Sequence, residues 1–324
     1  MPKVIISLLK KILHILSHDD PSIWKVSRNQ PIRTIPIDSN VIRAAVSHIK
    51  EELGFIKYAV KLIFLAFYLS FILLFIFNLK NIGKARAIVL ICTVLIFGIA
   101  FGATPNPMES LVKVFKLFNK MEGEGKILIS IFFIFTTFSL IGSKFICSWG
   151  CPIGALQECL FNVMGCRSKH SIRIPFWLYS MLRMFIFGVF LVLLFGFGDA
   201  VVYGIKDFVV YHHVNYFKIF NFHELAKIAL YTLPVFIILS LFIFRPFCHC
   251  VCPFGLYSWL LENISINRIH IDTEKCIRCG KCVNVCPTSA MKDIYNKKVY
   301  FLAECWSCGK CKDICPVGAI TYAR

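Results

Sequence analysis

The 324-residue chain is short of acidic side chains, with 18 Asp and Glu against 36 Lys and Arg and a formal net charge of +18. It has no P-loop, no Rossmann glycine pattern and no Ser-His-Asp arrangement, so the chemistry that depends on those motifs is not expected. It also lacks a zinc-finger pattern and any interleaving of aromatic with basic residues, which argues against nucleic acid as a partner. Attraction to anionic lipid headgroups explains the positive charge better.

Charged residues are scarce within five apolar stretches, in a chain that is 57% hydrophobic with a mean hydropathy of +0.70. The stretches cover residues 58–79, 86–103, 127–143, 178–198 and 227–244, and each is near the ~20 residues that cross a bilayer. We therefore expect an α-helical membrane domain of about five transmembrane helices over residues 57–264. None of the nine His lies well inside a stretch, which argues against a membrane haem.

The N-terminus has no convincing signal peptide. Its apolar run at residues 4–9 is broken by Lys10 and Lys11, and no small-residue cleavage site follows. Apolar residues at helical spacing predict a short amphipathic helix that lies on the membrane, followed by an irregular, proline-containing tail up to residue 56.

Cysteine, by contrast, is abundant, and eight of the sixteen fall in two C-terminal copies of the spacing C-x2-C-x2-C-x3-C-P. The first run contains Cys276, Cys279, Cys282 and Cys286, and the second contains Cys305, Cys308, Cys311 and Cys315. Thiolates at this spacing can wrap a cubane iron–sulfur cluster, whereas zinc sites use two C-x2-C pairs set well apart. We predict two [4Fe–4S] clusters in a small α+β ferredoxin-like domain over residues 265–324.

The two runs resemble those of bacterial two-cluster ferredoxins, in which the fourth Cys of each run binds the other cluster. The resemblance implies two mixed ligand sets. One set is Cys276, Cys279, Cys282 and Cys315, and the other is Cys305, Cys308, Cys311 and Cys286.

A second duplication lies upstream, where the pattern C-x3-C-P-x-G occurs twice after an apolar stretch and a basic residue. The first copy has Lys144, Cys147, Cys151, Pro152 and Gly154, and the second has Arg245, Cys248, Cys252, Pro253 and Gly255, 101 residues further on. The repeat predicts two helical hairpins that end in the same motif at one face of the membrane. Cys250 has no counterpart in the first copy and is not expected to be a ligand.

The residue before each Pro is forced out of helical geometry, and the Pro suits the first position of a new helix. The helix dipole and the nearby Lys144 or Arg245 are expected to lower the thiol pKa values. We predict that Cys147, Cys151, Cys248 and Cys252 together hold a further [4Fe–4S] cluster at the membrane surface. The alternative is redox-active or metal-handling dithiols without a cluster.

The apolar stretches, both C-x3-C-P motifs and the ferredoxin runs together resemble the NapH-type membrane quinol dehydrogenases over about residues 86–324. The membrane parts of NosR-type and CcoG/RdxA-type proteins are similar. The resemblance implies electron flow between a membrane quinol pool and a partner redox protein or complex, with the chain as an oxidoreductase subunit. The stretch at 58–79 and the N-terminal tail depart from the family pattern, and there is no flavin domain of the NosR kind.

Two other functions stay open: an accessory factor of the CcoG kind that reduces metal or a maturing oxidoreductase, and a relay subunit that oxidises soluble ferredoxin. Because iron–sulfur clusters are loaded in reducing compartments, we expect a multi-pass protein of the inner (cytoplasmic) membrane with its ferredoxin domain in the cytoplasm. A quinol also needs proton acceptors. Candidates are Asp199, Asp207, His212, His213, His223 and Glu224.

Overall fold

The computed structural model describes residues 59–74, 82–104, 106–117, 125–164, 172–195, 215–220, 227–296 and 304–323. All of these belong to one unit, which starts at Leu53. The predicted amphipathic helix and tail of residues 1–56 lie outside the described residues, as do the six candidate proton acceptors between residues 199 and 224.

Helices dominate the described structure. In chain order they are α1 (59–74), α2 (Ile82–Thr93), α3 (Pro107–Leu117), α4 (Gly125–Gly142), α5 (Pro152–Met164), α6 (Phe176–Phe195), α7 (Lys227–Phe242), α8 (Pro246–Cys250), α9 (Pro253–Glu262), α10 (Lys281–Val285), α11 (Ala290–Tyr295) and α12 (Lys310–Ile314). Helix α2 continues as a π-helix over Val94–Ala100, a second π-helical turn covers Ile146–Gly150, and a 3₁₀ turn covers Tyr216–Phe220.

A two-stranded antiparallel sheet closes the C-terminal part. Strand β1 (Arg268–Ile271) pairs with β2 (Ile320–Ala323), with Arg268 opposite Ala323 and Ile271 opposite Ile320. The short helices α10, α11 and α12 lie between the two strands in sequence. The sheet thus pairs the beginning of the cysteine-rich segment with its end.

Helix α5 lies at the centre of the helical part, where it packs against α2 and α7, while α4 packs against α3 and α9. Aromatic side chains fill much of the core between them. The rings of Phe135 and Phe254 meet edge to face with centroids 5.9 Å apart, and Tyr216 lies 4.9 Å from Phe247. Large rings of this kind bury a great deal of apolar area, which accounts for part of the high Phe content.

The prediction of an α-helical membrane domain with about five transmembrane helices is wrong for the residues that the structure describes, where no helix is both long and apolar enough to cross a membrane. A helix rises 1.5 Å per residue, so crossing the hydrocarbon layer takes about 20 apolar residues. Helix α2 gives way to the π-helix after Thr93, and α7 has 16 residues with Pro234 inside it. Helix α6 has 20 residues but includes the fully buried Arg183.

Several helices nevertheless present large apolar side chains to the outside. Phe67 on α1 is 74% exposed, Phe185 on α6 is 70% exposed and Tyr231 on α7 is 78% exposed. Exposed apolar surface on this scale marks a region that another molecule covers.

Gly154 and Gly255 occupy equivalent positions in the two repeats, and each lies very close to a backbone carbonyl oxygen. A Cβ atom on Gly154 would lie 2.8 Å from the Cys147 carbonyl oxygen, and one on Gly255 would lie 2.5 Å from the Cys248 carbonyl oxygen. In each repeat, the helix that starts at the Pro therefore packs directly on the turn that holds the first Cys. This contact explains the Gly of the C-x3-C-P-x-G pattern.

Gly255→Ala is therefore expected to destabilise the protein by about 1–3 kcal/mol, the usual cost of forcing an atom into a packed core. Gly188→Ala is the matched control, because a Cβ there meets nothing within 4 Å and Ala is favoured over Gly inside a helix by roughly 0.5–1 kcal/mol. Thermal unfolding followed by circular dichroism tests both variants. Equal midpoints for the two would contradict the packing argument.

Candidate functional site

The two ferredoxin-type runs fold alike. In each, the residue before the second Cys and the Gly after it adopt left-handed backbone geometry: Arg278 (φ 54°) and Gly280 (φ 70°) in the first, Ser307 (φ 45°) and Gly309 (φ 78°) in the second. Successive turns of this kind direct N–H groups into a concave, anion-binding pocket. The third Cys then falls in a short helix, α10 or α12, and the fourth is extended before Pro.

Each run lines a cavity together with the last Cys of the other run. One cavity is lined by Cys276, Cys279, Cys282 and Cys315. The other is lined by Cys305, Cys308, Cys311 and Cys286. The fold thus groups the eight cysteines in the two mixed sets that the resemblance to two-cluster ferredoxins implies.

Among the described residues, no group of three or more His, Cys, Asp or Glu side chains converges closely enough to hold one metal ion. In a cubane each thiolate binds a different iron, so the thiols stand around the cluster and do not converge on a single atom. Four thiols lining a cavity fit that chemistry.

The four C-x3-C-P cysteines form a third group. Cys147, Cys151, Cys248 and Cys252 are all buried, and the thiol of Cys151 lies close enough to the other three to interact electrostatically with each. Cys151 and Cys252 have extended backbones immediately before helices that start at Pro. The duplicated sequence therefore builds two equivalent turns whose thiols lie near one another.

Burial dominates the acid–base chemistry of these thiols. It raises the pKa of Cys248 to about 11 and that of Cys151 well above its usual value, although the Gly154 N–H donates a hydrogen bond to Cys151. The expectation that helix dipoles and basic neighbours would lower these pKa values is wrong, because the cost of desolvating a thiolate exceeds both effects. The thiols stay protonated unless a metal displaces the proton.

Each repeat also places a hydrogen-bonding side chain on the first Cys of the other repeat. Gln157 Nε2 on α5 donates to Cys248 Sγ at 3.5 Å, and Ser258 Oγ on α9 lies at the same distance from Cys147 Sγ. Gln157 and Ser258 are themselves 101 residues apart. Neither residue was predicted from the sequence, although both share the repeat offset of the cysteines.

A buried carboxylate joins the two repeats. Glu158 accepts from Arg86 at 2.6 and 2.8 Å and from Arg245 at 2.6 and 3.1 Å. Burial alone would raise the pKa of Glu158, but the two guanidinium groups outweigh it and hold the pKa below its usual range. Arg245 also donates to the carbonyl oxygens of Cys147 and Ser148, so it fixes the turn of the opposite repeat.

A second buried carboxylate joins the ferredoxin segment to the helical part. Glu304 pairs with Lys144 and, at 2.9 Å, with Arg183. Next to it, Glu262 accepts the Cys305 N–H at 2.9 Å. Burial lowers the pKa of Lys144 to about 7. The residue before Cys305 thus lies in direct contact with the residue three positions before Cys147.

Neutral hydrogen bonds extend this contact. Ser307 Oγ donates to the Ser143 carbonyl at 2.8 Å, and Trp149 Nε1 donates to the Ser307 carbonyl at 3.2 Å. The second cysteine run therefore docks on the turn that carries Cys147. The cavity of Cys305, Cys308, Cys311 and Cys286 and the group of four C-x3-C-P thiols are neighbours on either side of this contact.

His249 lies in the same contact and is buried. Its Nδ1 lies 2.8 Å from the Phe244 carbonyl oxygen, to which it donates, so Nε2 is free to accept the Trp306 indole N–H at 3.0 Å. This arrangement requires the neutral tautomer with the proton on Nδ1. Burial lowers the pKa of His249 well below its usual value, in agreement with that assignment.

The other cysteines of the described part of the chain line neither ferredoxin-type cavity. Cys92, Cys159 and Cys250 are half-buried free thiols, and Cys166 lies outside the described residues.

Comparison with known proteins supports the iron–sulfur assignment. A family model for a 4Fe-4S dicluster domain matches residues 268–316, and a model for a 4Fe-4S binding domain matches residues 125–170 and 226–268, which contain the C-x3-C-P motifs. The chain is also 29% identical over 162 residues to the "Putative electron transport protein YccM" of Escherichia coli (strain K12), a match that covers 48% of this chain and 44% of that protein. No solved structure matches the chain.

These likenesses and the cysteine geometry support one class: the chain is similar to iron–sulfur proteins of electron transfer. The chain spans less than half of the length of the curated relative that it matches.

The position of Glu304 makes a testable prediction. Glu304→Gln removes the charge that pairs with Lys144 and Arg183 and leaves two buried cations without it, a change that costs about 3–5 kcal/mol in comparable sites. We expect a lower unfolding midpoint and faster proteolysis within residues 304–323. Asp272→Asn is the control, because its pair with Lys275 is solvent-exposed and is expected to leave both readouts unchanged. Similar behaviour of the two variants would show that the buried pair does not hold the segment in place.

Proposed function

We propose that the chain is an electron-transfer subunit related to the NapH-type quinol dehydrogenases, and that it moves single electrons between a quinol pool and a redox partner. The observation that carries the proposal is the direct docking of the second cysteine run on the turn of Cys147. That contact places the four C-x3-C-P thiols beside the two ferredoxin-type groups of four thiols. In the described part of the chain, no other domain lies between the three groups. A linear series of cysteine sites suits a relay that accepts and passes on one electron at a time.

In this proposal the two ferredoxin-type cavities hold two [4Fe–4S] clusters with the mixed ligand sets given above. Cys147, Cys151, Cys248 and Cys252 hold a third. The likeness of residues 125–170 and 226–268 to a 4Fe-4S binding domain supports the third cluster, as does the meeting of the four buried thiols. The clusters supply reversible one-electron storage, while the chain provides thiolates, hydrogen bonds to sulfur and exclusion of water.

The crossed hydrogen bonds suit such a cluster. A neutral thiol is a weak acceptor, whereas a metal-bound thiolate is a strong one. Gln157 Nε2 donates to a sulfur of the opposite repeat, and this hydrogen bond would strengthen when iron binds. The Ser258 hydroxyl donates to the Gly255 carbonyl oxygen and lies 3.5 Å from Cys147 Sγ, so its proton would turn to the sulfur once iron binds.

We further propose that lipid covers the outward apolar faces of α1, α6 and α7, where Phe67, Phe185 and Tyr231 are largely exposed. The net charge of +18 favours anionic headgroups at the edges of such a surface. Contact with lipid would bring the C-x3-C-P site near a quinol dissolved in the same layer. The quinol link itself rests on the resemblance to the NapH-type family.

Iron content tests the number of clusters. Three [4Fe–4S] clusters would give about twelve iron atoms per chain, and loss of one would give about eight. We expect Cys252→Ser to lower the iron content by about a third, because it removes one of the four C-x3-C-P thiolates. Cys250→Ser, only two residues away, is the control and is expected to keep all the iron. Folded Cys252→Ser protein with unchanged iron would exclude the third cluster.

Reoxidation kinetics test the quinol link. We expect the anaerobically reduced protein to be reoxidised rapidly by a soluble quinone analogue, followed by its visible absorbance. A variant carrying both Cys147→Ser and Cys248→Ser should react more slowly, because its path to the clusters is interrupted. If wild-type protein with full iron content is not reoxidised by the quinone, the quinol link is wrong and the relay and assembly-factor functions become the better candidates.

A further inference from the structure

The two cysteine runs expose the same face to very different degrees. In the second run, Trp306 is 2% exposed and Ser307 is 4% exposed. Their equivalents in the first run, 29 residues earlier, are Ile277, which is 61% exposed, and Arg278, which is also exposed. Cys279 is exposed as well. One copy of the face is covered by the helical part of the chain, and the other faces outward.

The covered copy shows what this face can bind. There Glu304 reaches two cations, Ser307 bonds the backbone of the C-x3-C-P turn, and Trp306 packs on His249 with ring centroids 5.1 Å apart. Protein interfaces commonly have an apolar centre surrounded by charged and polar residues. Here an interface of that composition brings the thiols of the second cysteine run next to the C-x3-C-P thiols.

The outward copy also combines apolar with charged residues, but it carries positive charge where the covered copy has the carboxylate of Glu304. Ile277, Ile314 (43% exposed) and Val317 (41% exposed) form its apolar part. Arg278 and Lys281 are exposed charges beside Cys279, and Asp313, next to Ile314, is exposed as well. Lys275 stands where the second run has Glu304, and it pairs with Asp272 at 3.1 Å. Arg278 and Lys281 therefore give the face around Cys279 a charge that complements carboxylates, whereas the covered copy complements cations.

We propose that this face, defined by Ile277, Arg278, Lys281, Ile314 and Val317, is the docking surface for an acidic, soluble electron-transfer protein. This inference rests on the proposed function, since it makes the cluster of Cys276, Cys279, Cys282 and Cys315 the one that meets the partner. One electron leaves the reduced cofactor of the partner, which is thereby oxidised. The electron enters the cluster, which is thereby reduced, and no bond forms or breaks.

The test uses the full-length, iron-loaded chain and photoreduced flavodoxin, a small acidic flavin protein, as the probe. Stopped-flow absorbance follows cluster reduction at low and at high salt. Arg278→Glu reverses a charge on the proposed surface, and Lys292→Glu makes the same reversal at an exposed residue that lines neither cysteine cavity. Dithionite, a small reductant, serves as the reagent that needs no docking surface.

We expect Arg278→Glu to lower the second-order rate constant with flavodoxin about tenfold at low salt and to weaken its salt dependence, because charge complementarity acts mainly on the association rate. Lys292→Glu should stay within about twofold of the wild type, and dithionite should reduce all three proteins equally. Equal flavodoxin rates for the two variants would overturn the docking surface. Full iron and normal cluster spectra in that case would leave the proposed function standing, whereas their absence from the wild type would reject the function itself.

Discussion

The buried pairing of Glu304 with Lys144 and Arg183 is the contact on which the arrangement of the cysteine groups depends. Replacing a buried ion pair with apolar residues often costs nothing, but removing one partner is expensive. Such a pair therefore specifies position more than it adds stability. Here it fixes the start of the second run against the turn of Cys147, so that two groups of thiols become neighbours.

The charges around that contact suit an anionic occupant. Among the described residues, the buried cations are Arg86, Lys144, Arg183 and Arg245, and the buried carboxylates are Glu158, Glu262 and Glu304. Burial raises the pKa of Glu262 to about 7 and lowers that of Lys144 to about 7, so the surplus of positive charge rests on the guanidinium groups of Arg86, Arg183 and Arg245 against Glu158 and Glu304. In the described part of the chain the Nε and Nη2 atoms of Arg183 have no hydrogen-bond partner, and neither do Glu262 Oε2 and Glu304 Oε2. Burying unpaired donors is costly, and iron-bound thiolates near Arg183 would offset that cost.

Features that depend only on neighbouring residues could be predicted from the sequence. The Cys-Pro spacing predicted the bends at Cys151 and Cys252, and the repeat offset paired the right turns. The sequence was insufficient for the membrane helices, because hydropathy does not show that Arg183 is buried inside an apolar stretch or that α2 changes to a π-helix after Thr93. It also missed Glu158, Glu304 and His249, since a lone polar residue gains its role only from partners distant in the chain.

Both duplications lose their symmetry at the same contact. Lys144 and Arg245 are equivalent, and each has a backbone φ of 51°, yet Arg245 turns inward to Glu158 while Lys144 meets Glu304. Lys275 and Glu304 are likewise equivalent, and only the second carries a carboxylate. A cation in the first run would be repelled by Lys144 and Arg183, so the charge at this position favours docking of the second run, together with the contacts of Cys305, Trp306 and Ser307. In the proposed electron relay this asymmetry would make the inner and outer ends differ.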